Sequence, residues 1–399
     1  MTVRTRPFAS STYAGGRERE LLLDAFDSGQ WSGFRAGVQG DARELRDVTS
    51  ADAVDLDDLR FLGGKYVRKL EAMFAERTGC AFAIACNSAT SGLVMAIGAI
   101  GIQPGDEVLV PCMSFHASAT AIRSFGGVPV FVEVDPLTFN IDPIDAASRI
   151  TARTRAIMIV HLGGIPADMD ALLALAGQHG LRVIEDCAQA PGARYRGREV
   201  GSLGDAGVFS LVETKSITCG EGGVVVTNDP SIAFKCRLIR NHGEGAAQDD
   251  WSEEELRNVV GFNFRLTELQ AAIAVAQCEQ LDERNRLRNE NARHIIDGLR
   301  RFPQFTPQQL AGDCEPAWFI LKFRYGGDRD ALIQALAKEG IPAVGGYTRL
   351  LHQHPLFAPQ AARPRSEAIN REFVWFSCIH PPNTREDMND IIRAVEKVL

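Results

Sequence analysis

No Cys-x-x-Cys pair occurs anywhere in the 399 residues, and the cysteine count, nine, is odd. Those two absences exclude a paired disulfide frame and the usual zinc spacing, so the thiols read as reduced and mostly buried. Positive charge is short as well, with a net charge of −8. A protein that coats nucleic acid needs a clustered basic surface, whereas a small anion needs only one local pocket. No apolar run reaches the roughly 18 residues of a membrane span. The opening Met-Thr-Val-Arg-Thr-Arg-Pro-Phe lacks the apolar centre of a secretion signal. There is no internal repeat and no low-complexity tract. These absences together predict a cytoplasmic protein with no nucleic-acid or membrane partner.

What is present suits a large core: 45% of residues are hydrophobic and 24% are charged. The length allows two domains of ordinary size. An amphipathic helix is expected over Arg17–Phe26, then a polar Gly- and Asp-rich loop or insertion over 32–58. The carboxylates of that stretch, Asp52, Asp55, Asp57 and Asp58, lack the companions of a calcium loop and read as solvated. From Lys65 onward, apolar runs of strand length occur at Phe82–Ala85, Glu107–Val110, Val128–Val132, Ala156–Val160, Arg182–Glu185, Gly207–Ser210 and Gly223–Thr227. Helical stretches separate the first six. Continuous apolar strands alternating with helices predict a mainly parallel sheet covered on both faces. Beyond a boundary placed near residue 245, one long helix is expected from Thr267 to about Arg300. A smaller strand–helix mixture follows: Trp318–Phe323, Asp328–Glu339, Ile341–Val344 and a final helix Glu386–Leu399 capped by Asn383-Thr384. The expected domains are 1–245 and 246–399.

Four segments carry chemistry, and each has an ordinary reading too. Asn87-Ser88-Ala89-Thr90-Ser91-Gly92 follows a strand and opens a helix; its free N–H groups and hydroxyls suit a phosphate, or merely cap the helix. Glu185-Asp186-Cys187-Ala188-Gln189 ends an apolar strand, where open α/β sheets place ligands. A carboxylate there can pair with a protonated ring nitrogen, or cap a helix. Ser210-Leu211-Val212-Glu213-Thr214-Lys215 delivers a serine and a lysine into the turn Gly220-Glu221-Gly222-Gly223. A nucleophilic lysine needs a confined setting that lowers its pKa, whereas most lysines are surface charges. Gly261-Phe262-Asn263-Phe264-Arg265 precedes the long helix and is otherwise a plain helix entry.

In this order and spacing the segments resemble the DegT/StrS family of pyridoxal 5'-phosphate (PLP)-dependent sugar and cyclitol aminotransferases. Further carriers are Gly105-Asp106-Glu107-Val108-Leu109-Val110-Pro111, Asp135-Pro136-Leu137-Thr138-Phe139-Asn140-Ile141-Asp142, Pro166-Ala167-Asp168-Met169-Asp170 and Arg240-Asn241-His242-Gly243. The resemblance runs from about Trp31 to the C-terminus, interrupted by 32–58. It implies an aspartate-aminotransferase-like α/β fold (fold type I): a large PLP-binding α/β/α domain with a mainly parallel sheet, and a smaller C-terminal α/β domain. It also implies that Lys215 holds the cofactor as a Schiff base and shuttles a proton. Asp186 would pair with the pyridinium nitrogen, Gln189 would lie near the phenolic oxygen, and Phe115 would stack on the ring. Thr90, Ser91 and Ser210 would bind the phosphate. Asn263 would reach it from the partner subunit of a homodimer, and Arg265 and His352 would lie near the substrate. The sequence departs from the family at Val212, where many relatives carry a polar residue. It departs again at Gly163 and Ile165, where relatives tend to have an aromatic and a Gln.

The implied reaction moves an amino group from glutamate or glutamine to a keto group of a nucleotide-linked sugar, a cyclitol or a related skeleton. Two alternatives stand beside it. One is another PLP reaction such as dehydration or elimination, although the family's dehydratase branch has histidine in place of the lysine. The other is a regulator or partner subunit without activity, which a missing Lys215 or Asp186 would favour.

Overall fold

The computed structural model describes residues 1–34, 46–55, 61–244, 251–357 and 360–399. All seven expected strands are present and form one sheet. They are β1 (Phe82–Cys86), β2 (Glu107–Pro111), β3 (Val128–Val132), β4 (Thr154–Val160), β5 (Arg182–Asp186), β8 (Ala206–Ser210) and β9 (Gly223–Thr227). The spatial order is β1-β9-β8-β5-β4-β2-β3. Only β9 runs against its neighbours; the other pairs are parallel. Every residue of β1, β2, β8 and β9 is buried, because helices cover both faces. On one side lie α3 (Ala89–Ala99), α4 (His116–Arg123) and α7 (Pro230–Arg240). The other carries α2 (Lys65–Thr78) and α8 (Glu268–Cys278), with α6 (Met169–His179) beside them. The short α5 (Pro143–Ser148) packs near α6, and two-residue strands β6 (Arg194–Tyr195) and β7 (Arg198–Glu199) form a ribbon with β11 (Cys314–Glu315).

A second sheet of four antiparallel strands holds the order β10-β12-β14-β13, with β10 at Phe305–Pro307, β12 at Leu321–Tyr325, β13 at Ala343–Gly345 and β14 at Phe373–Phe376. It is covered by α9 (Leu281–Leu299), α10 (Arg329–Lys338) and α12 (Arg385–Val398). Both α11 (Pro364–Glu372) and β14 escaped the sequence reading, since Arg363-Pro364-Arg365-Ser366-Glu367 reads as a polar loop. Its Pro364 opens the helix, a position where a missing N–H costs nothing.

Two expectations are corrected here. The helix over 267–300 is two helices, broken at Glu279-Gln280, where Gln280 sits at φ −108°, ψ 0°. The break lets Ala271–Ala276 of α8 pack beside α1 (Gly16–Asp27) and α2, while Ala292, Ile295 and Leu299 of α9 turn to the second sheet. Each sheet with its covering helices forms one body, with α8 packed in the first and most of α9 in the second. The strand expected at Trp318–Phe323 starts later, at Leu321. The N–H groups of Ala317 and Phe319 instead donate to Gly164 and Gly163 carbonyls at 2.9 Å each. The described part of the 32–58 stretch consists of turns and one short 3-10 turn, with Asp52 exposed, and it is tied down at two points. Ser50 bonds to Ala83 of β1 through both its donor and acceptor (3.1 and 2.7 Å), and Ala53 packs against Phe61, Leu62 and Phe234. Asp57 and Asp58 lie outside the described residues.

The N-terminal segment joins the two bodies. Arg4 pairs with Asp387 and Asp390 of α12 (2.8 Å each), and the Ala9 N–H donates to Asn383 at 2.9 Å. Thr12 then donates to the Glu213 carbonyl at 3.3 Å, and α1 packs on the first body.

Candidate active site

The carboxyl ends of β4, β5 and β8 open into one cavity of about 700 Å³, where open α/β sheets hold ligands. Adjacent residues of β5 point to opposite sides. Asp186 turns into the cavity and is buried; its carboxylate accepts from the Ser118 hydroxyl (2.8 Å) and the Ala188 N–H (3.1 Å). Ser118 in turn lies 2.7 Å from Ser114 Oγ. Burial pushes the Asp186 carboxyl up, against the pull of Ser118, Ala188 and the nearby Lys215.

Glu185 faces the other way, onto the loop after β7. It accepts N–H bonds from Gly201, Leu203 and Gly204 at 2.7–2.8 Å and one from His161 Nε2 at 3.0 Å. The Ala167 N–H donates to His161 Nδ1, so the proton sits on Nε2. Burial alone would raise the Glu185 carboxyl, but these bonds outweigh it and hold it below the usual range. His161, Glu185 and Cys187 lie close together, yet the bonds above already occupy the His and Glu groups. This cluster is a brace behind Asp186.

Lys215 stands in the turn after β8. Leu211 N–H to Gly222, Glu213 N–H to Gly220 and Lys215 N–H to Val212 tie that turn together (2.8–2.9 Å). The Lys215 ammonium lies 4.3 Å from the Phe319 ring centroid. Burial lowers its pKa to about 8, opposed by the charge of Asp186.

The third pole is the start of α3. Ser88 caps it by accepting the Ser91 N–H at 3.1 Å, a bond worth about 1 kcal/mol. Gly223 of β9 runs so close that an added Cβ would fall 2.6 Å from the Ala89 nitrogen. Ser88, Thr90, Ser210, Val212 and Phe115 all line the cavity, with Phe115 64% exposed. Gln189 lines it too, its Oε1 accepting the Gly163 N–H at 2.8 Å.

Thus six of the expected residues, Thr90, Phe115, Asp186, Gln189, Ser210 and Lys215, meet in one cavity. Four do not line it. The Ser91 hydroxyl donates to Asn87 at 2.6 Å, so it shapes the cap. His352 is buried against Glu367 (2.9 Å) and is not among the residues that line this cavity. Arg265 donates to Asn263 and Asn241 (3.0 and 3.3 Å), and Asn263 is exposed.

Sequence reasoning missed Ser11, Arg288, Phe319, Ser377 and His380, which complete the lining. None sits in a motif; the chain crossing between the two bodies brings them in. Of the three departures, Val212 faces the cavity. Ile165 packs into the core of the second sheet. Gly163 has φ +74°, and a Cβ there would fall 3.2 Å from Lys322 Nζ and 3.0 Å from Gln308 Oε1.

The donor set fits a phosphorylated pyridine aldehyde. A buried carboxylate suits its ring nitrogen, a helix start with hydroxyls suits its phosphate, and a low-pKa amine suits its aldehyde. Among the described residues no helix is long and apolar enough to cross a membrane.

Residues 42–396 match the DegT/DnrJ/EryC1/StrS aminotransferase family. The chain is 47% identical to GDP-perosamine synthase of Caulobacter vibrioides, over 84% of this chain and 91% of that protein. It is 38% identical to L-glutamine:scyllo-inosose aminotransferase of Streptomyces griseus, over 96% and 92%. The solved structure of Streptomyces venezuelae DesV superposes with a TM-score of 0.80 at 33% identity, covering 95% of this chain and 93% of that one. With a site that fits the cofactor and relatives matched along nearly their whole length, the chain belongs to the DegT/DnrJ/EryC1/StrS aminotransferase family, whose members are PLP-dependent enzymes of fold type I.

Proposed function

We propose that Lys215 is the Schiff-base anchor and proton carrier of a transaminase that takes an amino group from glutamate or glutamine and delivers it to a keto carbon of a nucleotide-linked sugar. One observation carries the proposal: the half-buried Lys215 and the buried Asp186 carboxylate share a cavity with the start of α3. The nucleotide-sugar class is favoured by the 47% identity to GDP-perosamine synthase.

When bound, PLP supplies an electron sink for the carbon that carries the amino group. Lys215 Nζ moves the proton at that carbon in both halves of the reaction. A pKa of about 8 keeps ammonium and free amine both populated near neutral pH, which general acid–base work requires. Asp186 would hold the ring nitrogen, with Ser118 fixing the carboxylate and the His161–Glu185 brace fixing the strand end. Thr90, Ser210, Ser88 and the free N–H groups of α3 would hold the phosphate. Phe115 and Phe319 would cover the ring and exclude water. Gln189, tied to Gly163, would sit at the phenolic oxygen.

The active unit is a homodimer in this reading. Asn263 is exposed and outside its own cavity, as a residue serving the partner's site must be, and Phe26, Trp31 and Val260 leave apolar surface uncovered. A reducing, cytoplasmic setting is consistent with nine unpaired cysteines, seven of them buried.

The test is the visible spectrum of the protein with PLP, for wild type and Lys215→Ala, before and after glutamate or glutamine. A cofactor band that the donor bleaches in the wild type only supports the proposal; no band in the wild type sinks it. GDP-, dTDP- and UDP-linked keto sugars and scyllo-inosose, offered to the aminated enzyme, then identify the acceptor.

A further inference from the structure

Arg288 lines the same cavity as Lys215, from α9 on the opposite body. It is 3% exposed. Its Nη1 makes one long bond, 3.5 Å to the Phe319 carbonyl, and its Nε has no hydrogen-bond partner among the described residues. Among the described residues no carboxylate forms an ion pair with it; the cavity's own carboxylates, Asp186 and Glu221, are both committed elsewhere or apart from it. The charged group acting on it most is another cation, Arg284. His380, beside it on the lining, is pushed down to about 4 by burial, so it is neutral near pH 7 and leaves Arg288 as the fixed positive charge of that wall.

A guanidinium that is more than nine-tenths buried and lacks an anion carries a large desolvation penalty. Such a group in a cleft is the mark of a site completed by its ligand. Guanidinium presents a planar fork that matches a carboxylate in two parallel bonds. Phe319 fixes the relation to the chemistry: its carbonyl takes the Arg288 bond while its ring lies against Lys215. A ligand touching both cations therefore spans one residue, the scale of a small amino acid. A diphosphate brings more charge than one buried guanidinium beside a neutral imidazole can balance.

We propose that Arg288 binds a carboxylate of the amino donor and so selects an acidic amino acid or its amide for the first half of the reaction. This rests on the transaminase reading above and names the group that holds the donor.

The experiment uses the PLP-loaded enzyme and two unreactive probes, glutarate and inorganic pyrophosphate, with binding followed by calorimetry for wild type, Arg288→Met and Arg288→Lys. Glutarate affinity should fall by about 10- to 100-fold in Arg288→Met, the range for a charged hydrogen bond, and partly recover in Arg288→Lys. Pyrophosphate affinity should not change. In the donor half-reaction the KM for glutamate should rise by a similar factor while the cofactor band is kept. Equal glutarate binding in wild type and Arg288→Met overturns the inference. So does a loss confined to pyrophosphate, or loss of the cofactor band in both variants. A wild type that binds glutarate through Arg288 yet is never bleached by glutamate would keep the site and sink the transaminase reading instead.

Discussion

The two walls of the cavity are built to different standards. On the wall made by β5, β8 and α3, polar groups are held: Asp186 by Ser118 and Ala188, the Ser88 cap by Ser91, Gln189 by Gly163. On the second body, among the described residues, buried groups lack hydrogen-bond partners: Arg288 Nε on the cavity lining, and Lys322 Nζ and Gln308 Oε1 off it. A satisfied polar network is rigid and keeps one shape. It suits a ligand that never leaves, such as a cofactor. Unsatisfied buried polar groups cost stability, and they suit a ligand that comes and goes and differs between enzymes of one fold.

The largest effect should come from the first wall. Lys215→Ala should reduce turnover by about 10⁴-fold or more, since the amine serves as both anchor and proton carrier; single-turnover kinetics with glutamate reads this directly. Asp186→Asn keeps the shape and removes the charge, and kcat should drop by about 10²- to 10³-fold with the thermal midpoint little changed. If both variants kept near-wild-type rates, the held wall would not be the cofactor wall.

The second body should answer in the opposite direction, through stability. Burial, and then the charge of Lys215, push Lys322 down to about 7. An unfolded chain holds that proton until about pH 10.4. Between these values the unfolded state binds more protons, so stability rises with pH across that window. Lys322→Met should therefore stabilise the cofactor-free protein by ~2 kcal/mol at pH 7, and the gain should shrink toward pH 10. Urea unfolding at several pH values measures it. A variant less stable than wild type at pH 7 would show that Lys322 has a partner, and the contrast with the first wall would weaken. The smallest effect belongs to Ser88→Ala, which removes the α3 cap and should cost about 1 kcal/mol, visible as a small drop in Tm and a weaker PLP affinity.

The first wall was legible in the sequence because it is local. A strand end, a short turn and a helix start each put their ligand groups within a few neighbouring positions, as Glu185 to Gln189 and Ser210 to Lys215 do. All seven large-sheet strands were legible for a related reason, since runs buried on both faces are apolar throughout. The buried groups of the second body were not. Lys322 sits in Leu-Lys-Phe-Arg-Tyr, where alternation suggests an outward lysine, yet it is 1% exposed. Arg288 sits in Arg-Leu-Arg-Asn-Glu-Asn, which reads as a solvated helix face. Only the approach of α9 and β12 to the turn at Gly163 buries them, and no short window of sequence encodes that approach. The break at Glu279-Gln280 was hidden likewise, because good helix formers stand on both sides of it.

The N-terminal segment has a mechanical consequence. It is held to the second body at Ala9 and to the first at Thr12, and Ser11 between them lines the cavity. Three residue steps, fully extended, reach about 10 Å. While both anchors hold, the two bodies can part by no more than that along this rim. The segment thus acts as a tether of fixed length, and cutting it between Ala9 and Thr12 would remove that limit and one strip of the cavity wall in the same stroke.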